Sequence, residues 1–155
     1  MSIAELKAYG LEEMTEDQRQ AFLETQTTGV LGLSGPEGPY MLPMSFAFDG
    51  NSSLVFTFLL GSDSRKETLL DRTDRPGFLV YDAETIFEWR SVLLGGTVTE
   101  VPSSQWDRYA ELLDSAWRPE LFRNAPTSRN VKLYRFDIDE ATGIKHTGLA
   151  PEDEE

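Results

Sequence analysis

The sequence predicts an α+β fold: a closed or partly closed antiparallel barrel of six or seven strands with peripheral helices. Three observations carry that expectation. Short β-like runs rich in Val, Thr and aromatics are separated by the turn clusters "SGPEGP" and "DGNSS", the pattern of an antiparallel meander. A glycine pair, Gly95 and Gly96, falls inside one run, where barrel strands bulge or bend sharply. Helical spacing is confined to stretches between the runs.

The first helix lies in "TEDQRQAFLETQ": Thr15 and Gln18 have capping-box spacing, and Phe22 and Leu23 supply an apolar face. "TGVLGLSGPEGPYMLPMSFAFDGNSSLVFTFLL" then holds three strands. A short helix beginning in "SRKE" ends before Pro76. "GFLVYDA" and "FEWRSVLLGGTVTEV" read as two further strands. After Pro102, "SSQWDRYAELLDSAWRPELF" places Trp106, Tyr109, Ala110, Leu113 and Trp117 at helical spacing, one face to pack on the barrel. "NVKLYRFDIDEATGIKH" closes the fold with one or two strands. Residues 1–150 form a single domain, and residues 151–155, "PEDEE", an acidic tail.

Composition bounds the function. A chain of 155 residues buries roughly 70% of its unfolded surface, enough for a core without staples. The absence of cysteine excludes disulfides, thiolate chemistry and cysteine-based zinc sites. With 27 acidic against 14 basic residues the formal charge is −13, which argues against nucleic acid and anionic membranes as partners. No apolar run approaches the roughly 20 residues that span a bilayer. "MSIAELKAYGLEEMTEDQ" has none of the character of a signal peptide, so a cytoplasmic protein is expected. Charge spread along the whole chain suggests a surface adapted to high salt.

Against that acidity, Arg65 and Lys66 stand side by side where the short helix begins. Ser64 and Glu67 have capping-box spacing, which makes Ser64 the N-cap and puts both cations in the first turn. That turn is electropositive, so local preference favours acids there. A broken local rule often marks a functional site. Free backbone N–H groups, a hydroxyl and two cations make an anion site suited to phosphate. The residues alone leave a second reading open, in which both cations reach into solvent and pair with Asp63, Glu67 or Asp71.

"FTFLLGSDSRKETLLDRTDRPGFLVYD" resembles the flavin-phosphate segment of the pyridoxamine 5′-phosphate oxidase-like proteins, the FMN-binding split β-barrels. Phe56, Thr57, Ser64, Arg65 and Lys66 match that family's pattern; "YMLPMSFAF" and "WRSVLLGGTVTEV" are similar to its flavin-bordering and central strands. The resemblance implies that Arg65 and Lys66, assisted by Ser64, grip the phosphate of FMN. It implies that Pro43, Met44, Ser45 and Thr57 border the flavin. Trp89 and Ser91, on one face of their strand, would reach the flavin of a partner subunit, so a homodimer with sites at its interface is implied too. A haloarchaeal member would account for the acidity.

The "YRFDIDEATGIKHTG" segment lacks the oxidase's basic, histidine-containing substrate motif, so the expectation does not extend to pyridoxamine phosphate oxidation. Nor does "LVFTFLLG" carry the histidine of the nitroimidazole-resistance relatives; the single histidine, His146, reads as a surface residue. No G-x-G-x-x-G, Walker loop, G-x-S-x-G or metal-ligand spacing is present. No side chain is singled out as a catalyst, because a bound flavin supplies the redox chemistry itself. The resulting expectation is a flavin-dependent oxidoreductase acting on a small molecule. A non-catalytic flavin carrier or sensor, and a deazaflavin-binding barrel, stand as alternatives.

Overall fold

In the computed structural model, which describes Ser2, Glu5 and residues 7–59, 65–114 and 131–148, the sheet contains eight strands, and every pairing is antiparallel. In chain order the elements are β1 (Leu11–Glu13), α1 (Glu16–Thr25), β2 (Thr28–Gly35), β3 (Gly38–Ser45), β4 (Ala47–Phe48) and β5 (Ser53–Leu59). They continue with α2 (Arg65–Arg72), β6 (Gly77–Thr85), β7 (Glu88–Val101), a 3-10 helix (Ser103–Tyr109), α3 (Ala110–Asp114) and β8 (Val131–Thr147).

The strand order is β3-β2-β6-β7-β8-β5-β4, with β1 also on β8. The two ends of that order, β3 and β4, are separated in sequence by Phe46 alone. The sheet must therefore curl until its edges meet, and it does so as a split barrel. The Phe46 N–H donates to the Thr27 carbonyl at 2.9 Å and pins the junction. β8 is the spine, with β7 along one edge and β5 then β1 along the other.

Period-two alternation decides what lies inside. Phe56 and Phe58 of β5, Phe78 and Val80 of β6, Val92 and Leu94 of β7, and Tyr134 and Phe136 of β8 point into the barrel and are buried. Each such side chain contributes about 1.5–3 kcal/mol through burial. Leu69 and Leu70 of α2 join the same core. A second cluster forms outside it, where Trp106 and Leu113 cover Val55, Val101 and Leu133.

The capping box is present: Gln18 N–H donates to Thr15 Oγ1 at 3.2 Å, and Thr15 N–H to Gln18 Oε1 at 3.0 Å. The pairing register shifts between Gly95 and Gly96, where a Cβ on Gly96 would lie 2.0 Å from the Asp137 carbonyl oxygen. The glycine bend is thus enforced by close approach of β8. Three details differ from expectation. β1 is an additional strand, Phe46 interrupts the expected second run, and the segment after Pro102 opens as a 3-10 helix. Ser64, Trp117 and the acidic tail lie outside the described residues. No helix among the described residues is long and apolar enough to cross a membrane.

Candidate functional site

The basic pair opens α2, as the sequence predicts, and each cation is stacked on an aromatic ring. The Arg65 guanidinium lies 4.9 Å from the centroid of Tyr40 on β3. The Lys66 ammonium lies 5.5 Å from the centroid of Phe58 on β5. Cation–π contacts contribute about 0.5–2 kcal/mol each, which offsets the few tenths lost by placing a cation in the first turn. The bases are thereby held over the β3 and β5 side of the barrel end. Glu67 accepts a hydrogen bond from Lys132 of β8, and Glu100 lies 3.7 Å from the same ammonium. That pairing holds Lys132 above the ordinary lysine range.

β3 ends the hydrogen-bonded order among the described residues, so its second edge has no ladder partner there. Pro43, which cannot donate to a ladder, is suited to such an edge strand. Met44 packs towards the barrel core, whereas Pro43 and Ser45 belong to the opposite face. Thr57 is half-buried on β5 and opposite Leu133, on the face of Val55 rather than that of Phe56 and Phe58. Tyr40 and Phe58, which hold the cations, were not identifiable from sequence as part of the site. Tyr40 lies two strands further back than β5, and no local spacing links either ring to the cation it carries.

Trp89 and Ser91 lie elsewhere, half-buried on the outer face of β7. Ser91 is in register with Tyr81 of β6 and Ile144 of β8; Trp89 is in register with Ala83 and His146. Strands β2 and β6 separate β7 from β3, a span of about 14 Å at the usual strand spacing. One chain therefore brings Arg65 and Lys66 close to β3 and β5, but not Trp89 and Ser91. His146 is half-buried, its ring 5.9 Å from that of Phe87 and 6.2 Å from that of Trp89, and its Nδ1 accepts from Gly148 N–H at 3.3 Å.

The outer face around Ser91 is apolar. Tyr81, Leu93 and Ile144 are 58%, 55% and 41% exposed, and Met41 on β3 is 68% exposed. In register, Pro43, Val30, Leu79 and Leu93 form one cross-strand row on that face. Strands apolar on both faces are the mark of a sheet covered on both sides.

Comparison with known proteins bears on this arrangement. An FAD-binding protein from Mesorhizobium loti superposes with a TM-score of 0.67 at 17% identity, covering 87% of this chain and 96% of that one. An FAD and heme binding protein from Mycobacterium smegmatis gives 0.65 at 17% identity, covering 93% and 78%. The heme storage protein of Vibrio cholerae gives 0.66 at 13% identity, covering 86% and 96%. No curated protein sequence matches the chain. At these identities the likeness concerns the fold. The sequence model of one family, pyridoxamine 5′-phosphate oxidase, matches residues 15–145. That match spans most of the 155 residues, and the chain belongs to this family.

Proposed function

We propose that the chain binds FMN and acts as a flavin-dependent oxidoreductase on a small-molecule acceptor. The observation that carries the reading is the pair of cations at the start of α2, each stacked on a ring at the β3 and β5 end of the barrel. Arg65 and Lys66, with Ser64, hold the phosphate. Two fixed cations at a helix N-terminus suit a phosphate dianion in charge and in hydrogen-bond donors. Pro43, Met44, Ser45 and Thr57 border the ring system along β3 and β5. The backbone edge of β3 offers N–H and C=O groups to its heteroatoms. When bound, FMN supplies the redox chemistry, while the chain binds and orients it.

The protein acts as a homodimer in which Trp89 and Ser91 of one copy complete the site of the other. Support comes from their separation from the basic pair within one chain and from the apolar outer face on which they lie. Two of the similar structures are named as FAD-binding proteins, which supports a flavin as the ligand class. A charge of −13 suits a halophilic, cytoplasmic protein, and haloarchaea are the source it fits.

The test is an absorption spectrum of the purified protein in high salt, before and after addition of FMN and desalting. A retained two-banded oxidised-flavin spectrum is expected. A colourless protein that releases all added FMN overturns the reading; retention of FAD or a deazaflavin in its place would reassign the cofactor.

A further inference from the structure

On the side of α2 opposite Arg65 lies a cavity of about 400 Å³ between the helix and the β7 and β8 strands. Glu67 and Asp71 face it from α2, Asp74 from the turn beyond, and Glu100 from β7. Lys132 bridges Glu67 and Glu100, leaving Asp71 and Asp74 as acids with no ion-pair partner among the described residues. Leu70 and Val98 make part of the lining apolar.

A second observation comes from Tyr134. The residue is 4% exposed and its ring is packed at 4.7 Å from that of Phe58, yet its hydroxyl has no hydrogen-bond partner among the described residues. It lines the cavity, and no fully enclosed polar side-chain atom there is left unpaired, so the hydroxyl opens onto the cavity. Burial first, then the charges of Glu67, Glu100 and Asp71, keep that hydroxyl protonated. With its ring buried and its oxygen open to the cavity, Tyr134 presents a hydroxyl with no protein partner among the described residues to whatever occupies that space.

We propose that this cavity is a binding site for a small aliphatic amine. An ammonium group is matched to Asp71 and Asp74 by charge and can donate to the Tyr134 oxygen, while Leu70 and Val98 take the carbon chain. A metal ion fits less well. Among the described residues no three His, Asp or Glu side chains converge as metal ligands, and the volume suits an organic molecule. The site is independent of the flavin reading, because it lies on the other flank of α2.

Calorimetric titration of the full chain with putrescine, and separately with magnesium chloride, at constant ionic strength tests it. Saturable putrescine binding is expected, weakened about tenfold by Asp71→Asn and by Tyr134→Phe. Tyr134→Phe keeps the ring in the core, so its melting temperature reports whether the fold is retained. Absence of saturable binding, or wild-type affinity in either variant, overturns the proposal. Displacement of putrescine by magnesium marks an inorganic cation site and overturns it as well.

Discussion

Arg65 and Lys66 occupy positions where a helix gains from acids, and the rings of Tyr40 and Phe58 make them tolerable. If they clamp a phosphate, truncating either removes a charged hydrogen-bond partner worth about 1.5–3 kcal/mol. Arg65→Ala and Lys66→Ala are each expected to weaken FMN binding by that amount in a fluorescence-quenching titration, with the melting temperature little changed. Unchanged affinity in both would place the phosphate elsewhere. A different residue pair responds to pH. Arg75 donates to both oxygens of Asp139, and this holds the carboxyl below its ordinary value of 3.8. A depressed carboxylate contributes stability that is present above its unfolded value and lost as pH falls through its folded one. Between about pH 5 and pH 2 the wild type should lose more stability to acid than Asp139→Asn, read as the fall in urea midpoint. The pair is exposed, so the difference is small.

At the scale of elements, the bend in β7 depends on Gly96. A Cβ there would meet backbone of β8 rather than a side chain able to swing away, so the strands themselves must part. Gly96→Ala is expected to cost about 1–3 kcal/mol, measured as a lowered urea midpoint with unchanged slope. Gly95 and Gly96 were legible in the sequence because paired glycines weaken a strand and persist where it must bend or meet another backbone. Thr15 and Gln18 were legible because a capping box is entirely local. β1 was not, since three residues carry no periodicity and its partner on β8 is more than a hundred positions away. Nor could helical spacing alone distinguish the 3-10 turns of Ser103–Tyr109 from α-helix. The same limit applies to the site: the basic pair announces itself by breaking a local rule. The stacking of Arg65 on Tyr40 depends on how β3 and α2 meet in the barrel, which no spacing encodes.

The whole molecule carries two surfaces of opposite character. Its net charge of −13 favours separation of copies in dilute salt, and the apolar outer face of β6, β7 and β8 favours their association. Leu93 is the sharpest point of contrast: it is a leucine 55% exposed on a strand whose inner neighbours Val92 and Leu94 are buried. In a two-fold symmetric interface a single substitution appears twice. Leu93→Glu would therefore bury two like charges without partners, each at a desolvation cost of several kcal/mol. Light scattering behind a sizing column in high salt is expected to give a dimer for the wild type and a monomer for Leu93→Glu, with circular dichroism unchanged. Because Trp89 and Ser91 share that face, the monomer should also lose FMN affinity while keeping Arg65 and Lys66 intact. A monomeric variant that retained full affinity would mean that one chain holds the entire flavin site. A wild-type monomer would leave the outer face without the partner proposed for it.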